Sequence, residues 1–224
     1  ILKGCADDAC PADAIVELTN GCLCCTVADD FVPTIEALLS RPVPPEHIVI
    51  ETSGLALPKP LLKAFDWPDL KSRITVDGVI AVADAEAVAD GRFAPDPEAV
   101  ARQAAGDDSV DHDTPLGEVF EDQVACADIV LLNKADLVDD AAMARARDTV
   151  LAEAPRAIPV IAISEGKVDH RVILGLNAAA EDDLASRPSH HEDHDEHDHD
   201  DFESFVADVA EVAGPEAAIG LVER

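Results

Sequence analysis

The chain has 224 residues, a formal net charge of −31, and 16 Lys and Arg residues against 47 Asp and Glu. A surface this acidic lacks the basic patch that nucleic acids and anionic membranes require, so neither is predicted as a partner. Six cysteines without regular spacing, no signal-peptide pattern and no apolar run of membrane-spanning length predict a soluble protein of the reducing cytoplasm. The length fits one α/β domain with additional segments.

The first residues, Ile1-Leu2-Lys3-Gly4, contain no initiator Met, and we expect an N-terminal segment to precede them. Cys5 and Cys10 are interpreted as loop thiols, with a role as auxiliary metal ligands as the alternative. The run from Ala14 to Leu18 predicts a short strand.

The next segment, Asn20-Gly21-Cys22-Leu23-Cys24-Cys25-Thr26, carries three cysteines within four residues. Three thiolates supply most of a tetrahedral shell for zinc, cobalt(II) or copper(I). Neighbouring side chains of a strand point to opposite faces, so Cys24 and Cys25 do not easily enter one core together. We predict that Cys22, Cys24 and Cys25 bind a metal. The alternatives are core and disulfide cysteines, or a thiol-redox pair formed by Cys22 and Cys25.

A predicted buried strand, His47 to Gly54, ends in an acid and a glycine. In nucleotide-hydrolysing α/β proteins such an acid reaches the magnesium ion, and the glycine lets the backbone approach the γ-phosphate. Glu51 is therefore a candidate catalytic residue and Gly54 a candidate nucleotide-binding residue. The alternative is an ordinary turn between a strand and a helix. Apolar spacing predicts helices on both sides, from Asp29 to Leu39 and from Leu57 to Phe65.

Ile74 to Ala83 is rich in β-branched residues without strict alternation, which predicts a strand covered on both faces and ended by Asp84. An acidic helix and loop are predicted between about residues 94 and 113. Leu116 to Ala127 carries an apolar stripe and predicts a helix, in which Cys126 is interpreted as an inert core thiol.

The run Asp128-Ile129-Val130-Leu131-Leu132 leads into Asn133-Lys134-Ala135-Asp136. A hydrophobic strand ending in Asn-Lys-x-Asp is typical of guanine recognition. The Asp136 carboxylate would accept from two donors of the base, the Lys134 stem would lie along the ring, and Asn133 would brace neighbouring loops.

A helix is predicted from Ala141 to Ala154 and a last strand from Ile158 to Ile163. Ser164-Glu165-Gly166 follows, and Ser164 is assigned to the site because this turn can bring a backbone N–H to the guanine carbonyl. The alternation of strands and helices predicts an α/β fold with a mostly parallel sheet, helices on both faces, and ligands at the carboxyl ends of the strands.

Beyond this domain, residues 1–177, the composition changes. Residues 178–201 hold ten acids and five histidines, which predicts a disordered linker that collects divalent metals weakly or acts only as a solvated spacer. Residues 202–224 begin with alternating apolar and acidic residues and continue with a helical pattern, as at the start of a second domain. They are too few to form a core of their own.

The cysteine loop, the Glu51-Thr52-Ser53-Gly54 turn, the Asn133-Lys134-Ala135-Asp136 motif and the histidine-rich linker together resemble the CobW family of metal-associated P-loop GTPases. Within that family, the similarity is greatest to the branch of cobalamin biosynthesis in three stretches: Asp111-His112-Asp113-Thr114-Pro115-Leu116, Phe120-Glu121-Asp122-Gln123 and Phe202-Glu203-Ser204-Phe205. The resemblance implies GTP hydrolysis with Mg²⁺ and metal binding through the three loop cysteines. It also implies delivery of cobalt to a cobaltochelatase.

Two alternatives accompany this interpretation: a chaperone of the same family for zinc or another metal, and a metal buffer without enzymatic activity. The 224 residues contain no Gly-x-x-x-x-Gly-Lys-Ser/Thr, the loop that cradles the phosphates and ligates magnesium. We therefore expect a fragment that lacks its first strand, its phosphate loop and most of its C-terminal domain, and that is inactive alone. A protein that has lost hydrolysis is the other possibility.

Overall fold

The computed structural model describes residues 31–104 and 115–190, all within one compact unit that ends at His190. Its regular elements, in chain order, are α1 (Val32–Leu39), α2 (Pro58–Phe65), α3 (Pro68–Lys71), β1 (Ile80–Asp84), α4 (Ala85–Ala89), α5 (Pro97–Ala104), α6 (Leu116–Cys126), β2 (Ile129–Asn133), a 3-10 turn (Ala135–Leu137), α7 (Asp140–Glu153), β3 (Val160–Ala162), α8 (His170–Ile173) and two 3-10 turns (Ala180–Asp182 and Leu184–Ser186).

The three described strands form a parallel sheet in the order β1-β2-β3. Val82 of β1 lies opposite Leu131 of β2, and Leu131 lies opposite Ile161 of β3. Parallel neighbours need helical crossovers, which α6 and α7 provide within the described chain. The predicted class, α/β with a parallel sheet and helices, is confirmed.

Strand β2 is buried on both faces. Its alternating residues Val130 and Leu132 are buried in one cluster with residues of α4, α6 and α7. Ile129 and Leu131 are buried in a second cluster with Ile163. A strand covered on both faces reads as a continuous apolar run, and this is the pattern from which β2 was predicted.

The two neighbours of β2 are shorter than predicted. The first is Ile80–Asp84 rather than residues 74–83, and the last is Val160–Ala162 rather than residues 158–163. Before Ile80 the backbone bonds to an irregular segment instead of a strand, since the Asp77 carbonyl accepts from the Ala178 N–H. The Asp77 carboxylate likewise accepts from the N–H groups of Gly175 and Asn177. These contacts replace a regular ladder.

The predicted buried strand from His47 to Gly54 is wrong. None of its residues pairs with a strand among residues 31–104 and 115–190. Val49 is 83% exposed, and Val82 on β1, the edge strand of the described sheet, is 64% exposed. An apolar run becomes a buried strand only when a neighbour satisfies its backbone groups, and the described part of the chain supplies none. Exposed apolar strand edges promote aggregation.

The predicted helices are confirmed where the structure describes them, in α1, α2, α6 and α7. Phe31 and Phe65 meet edge to face, with ring centroids 5.3 Å apart, in a separate cluster around α1 to α3. Cys126 is fully buried, and burial raises the pKa of its thiol to about 11, as expected of an inert core cysteine. None of the described helices is long and apolar enough to cross a membrane.

The segment from residue 178 to 190 differs from the predicted disordered linker, because it packs against the domain. The Glu181 carboxylate accepts from the Thr75 hydroxyl at 2.6 Å and from the Val76 N–H at 3.0 Å. Arg187 is 1% exposed and pairs with Asp128 at 2.8 Å. Residues 191–224 lie outside the described residues, as do the predicted strand at 14–18 and part of the acidic helix and loop predicted between about residues 94 and 113, so the proposed domain organisation stays a prediction.

Asp128 fixes this segment to the start of β2. Its carboxylate accepts from Arg187, from Arg156 at 2.9 Å and from the Val79 N–H at 2.8 Å. Burial alone would raise the pKa of Asp128, but the hydrogen bonds from Arg187, Val79 and Arg156 outweigh it and hold the pKa below the usual 3.8. The charged form is therefore favoured in the folded state, and its contribution to stability is lost as the pH falls through that lowered pKa.

Asp128→Ala is expected to lower the free energy of unfolding by about 3 kcal/mol at pH 7, because it leaves the buried Arg187 guanidinium without its carboxylate partner. Urea denaturation followed by circular dichroism measures the change. Asp148→Ala, at an exposed position on α7, is the control and should change stability by less than about 0.5 kcal/mol. Equal stability losses in the two variants would contradict this role of Asp128.

Candidate functional site

The carboxyl ends of the three described strands bring together the polar residues on which the site is built. Asp84 is the last residue of β1, and Asn133 is the last residue of β2. Ser164 lies just after β3, separated from it only by Ile163. In parallel α/β sheets, ligands bind outside this edge. The sequence-predicted residues Asn133, Lys134 and Ser164 therefore share one edge of the sheet.

Asn133 holds the loop that follows β3. Its side-chain oxygen accepts a hydrogen bond from the Gly166 N–H at 3.0 Å. Glu165 and Gly166 both have positive φ, 53° and 67°, so the loop turns sharply, and glycine adopts this conformation without steric cost. The loop is closed by a bridge between Ser164 and Lys167. Asn133 thus contacts the loop after β3, and its role in guanine recognition stays a prediction.

Lys134 and Asp136 lie in the tight turn after β2. Lys134 has a left-handed backbone, with φ 61°, and immediately precedes the 3-10 turn. The Ala135 N–H donates to the Ile163 carbonyl at 3.0 Å, which anchors this turn to the end of β3. Asp136 is exposed, and its carboxylate makes no hydrogen bond within the described part of the chain. It remains open to a ligand.

Glu51 and Gly54 are exposed in the segment before α2. The Gln123 side-chain amide donates to the carbonyls of Gly54 at 3.0 Å and Ala56 at 3.1 Å, which fixes the end of this segment to α6. Near it, a cleft of about 320 Å³ lies between residues 53–55 and the end of β1. Among the described residues, Glu51 makes no hydrogen bond to Asn133, Lys134 or Asp136, so no direct contact joins it to them.

Cys22, Cys24 and Cys25 lie outside the described residues. Within residues 31–104 and 115–190, no group of three or more His, Cys, Asp and Glu side chains is arranged to hold a metal ion. Metal binding by the cysteine loop stays a prediction from the sequence.

Sequence reasoning missed two residues, Asp84 at this edge and Gln123 on α6. Asp84 was recognised only as the end of a strand, yet it pairs with the Lys134 ammonium at 2.6 Å. Gln123 was noted only as part of a family-like stretch. The position of Asp84 at the end of a predicted strand could have indicated this contact, because the carboxyl ends of adjacent parallel strands lie at the same edge of a sheet.

A parallel sheet with these turns at its carboxyl edge defines an α/β nucleotide-binding domain of the P-loop NTPase type. The chain belongs to the CobW/HypB/UreG family, whose nucleotide-binding domain matches residues 2–162.

Several relatives support this membership. The chain is 52% identical over 192 residues to a zinc chaperone CobW of Sinorhizobium sp. and 49% identical over 195 residues to one of Pseudomonas aeruginosa. Each match covers 86% of this chain but only 54% and 52% of those relatives, so the chain spans about half of their length. A zinc-regulated GTPase metalloprotein activator 1 of Schizosaccharomyces pombe is 33% identical over 138 residues, 61% of this chain and 28% of that protein. No solved structure matches the chain significantly.

Proposed function

We propose that this chain is part of a GTP-dependent metallochaperone that binds a divalent metal at its cysteine loop and delivers it to a client protein. The observation that carries the nucleotide part is the edge where the Asn133 amide oxygen holds the Gly166 N–H while Asp136 stays exposed after β2. The metal part rests on the three clustered cysteines and on the relatives named as zinc chaperones.

Guanine selectivity follows from the donors and acceptors at this edge. Guanine presents an N1–H and an exocyclic amine side by side, and one carboxylate, that of Asp136, can accept from both. Adenine offers no such pair of donors, so it would leave the carboxylate without its partners. The loop after β3 supports this proposal: the Gly166 N–H donates to Asn133, and a backbone N–H of Ser164 or Glu165 would donate to the guanine carbonyl.

Glu51 is proposed to act at the phosphate end of the nucleotide. Its carboxylate is exposed, and carboxylate oxygen is a ligand type that Mg²⁺ prefers. Mg²⁺ brought by the triphosphate would neutralise charge on the phosphates, while Glu51 would contact it directly or through water. Gly54 lies in the segment that Gln123 fixes and has nothing within 4 Å of the space a Cβ would fill, so the backbone there is accessible to a phosphate group.

Zinc is the proposed cargo, because Cys22, Cys24 and Cys25 offer thiolates and the relatives are named for zinc. Cobalt delivered to a cobaltochelatase is the second candidate, supported by the sequence stretches that resemble the cobalamin branch of the family. Cysteines are kept reduced, and so available as thiolate ligands, in the cytosol, and we therefore infer a cytoplasmic location.

The 224-residue chain alone is expected not to hydrolyse GTP, since no phosphate-loop motif occurs in it and phosphoryl transfer depends on holding and neutralising the triphosphate. The test compares phosphate release by this chain with release by a longer form, extended upstream of Ile1 to include a phosphate loop. GTP turnover should appear only in the longer form and should exceed ATP turnover. Equal turnover by both forms, or equal use of ATP and GTP, would contradict the proposal.

A further inference from the structure

Asp84 makes two kinds of contact at the carboxyl edge of the sheet. One oxygen, Oδ1, accepts from the N–H groups of Glu86 at 3.0 Å and Ala87 at 3.2 Å, and so caps the first turn of α4. The other, Oδ2, accepts from the Lys134 ammonium at 2.6 Å. The Asp84 side chain is only 12% exposed. Each oxygen therefore has its own partner, and the carboxylate cannot rotate without losing one of them.

The ion pair fixes a side chain that is otherwise flexible. Lys134 reaches from its left-handed backbone across to the neighbouring strand, and its side chain is 41% exposed. A lysine side chain loses much of its rotamer freedom when it is ordered. Here that ordering already exists before any ligand arrives, because β1 and the cap of α4 hold the carboxylate in place.

We propose that Asp84 is a positioning residue for guanine recognition, which holds the Lys134 ammonium at the strand edge so that the lysine stem is already arranged along the face of the base. This inference rests on the proposed function, and it adds a residue from the adjacent strand to the guanine-reading motif. Binding energy that would be spent on ordering Lys134 is then retained as affinity.

The protonation states are consistent with this role. Burial would raise the pKa of Asp84, but the hydrogen bonds from Lys134 and from the N–H groups of Ala87 and Glu86 outweigh it and lower the pKa. The hydrogen bond to Asp84 raises the pKa of Lys134. Both groups are thus charged at neutral pH, and the pair stays intact under the conditions of a binding assay.

The first test uses Asp84→Asn in the longer form that binds nucleotide. Asn caps a helix about as well as Asp, so α4 keeps its cap while the ion pair with Lys134 is lost. GTP affinity, measured by equilibrium fluorescence titration, should fall about three- to tenfold, while the melting temperature falls only slightly and the fold is kept. XTP affinity should fall by the same factor, because Asp136 is untouched. Asp90→Asn, which breaks an exposed pair with Arg92 at the other end of α4, is the matched control and should leave GTP affinity unchanged.

The second test separates positioning from a merely structural role. Lys134→Met keeps an apolar stem but removes the ammonium, and in that background Asp84→Asn should have no further effect on GTP affinity. If Asp84→Asn lowered GTP affinity by the same factor in the parent protein and in Lys134→Met, the inference would be overturned. GTP affinity that is unchanged in Asp84→Asn alone would overturn the inference as well. Tighter GTP binding by that variant would also overturn it, because the ion pair between Asp84 and Lys134 would then compete with the nucleotide.

Failure of the proposed function and failure of the positioning role give different experimental results. If the parent protein does not prefer GTP over ATP, the proposed function is wrong and the role of Asp84 fails with it. If the parent protein selects GTP but Asp84→Asn binds it equally well, only the positioning role is wrong.

Discussion

Asp136→Asn is expected to reduce GTP affinity by about 30-fold to 1,000-fold and to shift the preference toward xanthine nucleotides. The reason is that a charged acceptor serving two donors contributes roughly 2–4 kcal/mol, which is lost when one oxygen becomes an amide nitrogen. Xanthine carries a carbonyl where guanine has its amine, so the new amide can donate to it. Asp136 is exposed directly after β2, and the substitution should leave the fold intact.

The measurement is a competition titration of GTP against XTP in the longer form of the protein. Asp140→Asn, an exposed acid in the first turn of α7, provides a control with the same chemical change close by, and its GTP affinity should equal that of the parent protein. Retention of the parental GTP over XTP selectivity in Asp136→Asn would remove the guanine assignment.

Strand β2 and its turn were predictable because their causes are local. Four consecutive apolar residues buried on both faces leave a continuous hydrophobic run in the sequence, and the Asn-Lys-x-Asp motif follows it without a gap. The helices α6 and α7 were predictable from apolar spacing for the same reason.

Other features depend on partners that are distant in the sequence. The run from His47 to Ile50 has the composition of a strand, but composition does not specify which neighbour would pair with it, and in the described structure Val49 is exposed. The polar segment after residue 177 looks disordered, yet Arg187 is buried because Asp128, 59 residues away, neutralises it. Asp84 and Lys134 are 50 residues apart and meet only because β1 and β2 are adjacent.

Replacing Cys24 and Cys25 together with Ser is expected to abolish tight metal binding, a loss of more than about 100-fold in affinity. Changes in outer-shell partners of a metal already cost 10- to 100-fold, and removing two of three thiolate ligands should cost more. Cobalt(II) at the parent cysteine loop should show sulfur-to-metal charge-transfer absorption and strong tetrahedral bands. Both should disappear in the double variant.

The control removes the histidine-rich segment instead. Deleting residues 191–200 leaves Ser189 and His190 in place, which matters because the Ser189 hydroxyl and the His190 N–H both donate to Asp122, at 2.6 Å and 2.9 Å. This deletion should keep the cobalt bands and lower only the number of weakly bound ions. If deleting residues 191–200 abolished the cobalt bands and the cysteine double variant kept them, the tight metal site would have to be assigned to the histidine-rich segment instead.

The most direct test of a GTP-dependent metallochaperone is the zinc affinity of the longer form, measured by chelator competition with and without GTP and Mg²⁺. If nucleotide binding and metal binding are coupled, as the proposal requires, GTP should tighten zinc binding by about fivefold or more. The Cys24→Ser, Cys25→Ser variant should lose that nucleotide-sensitive site, and XTP should replace GTP as the effector in Asp136→Asn. A zinc affinity that is the same with and without GTP would contradict the account.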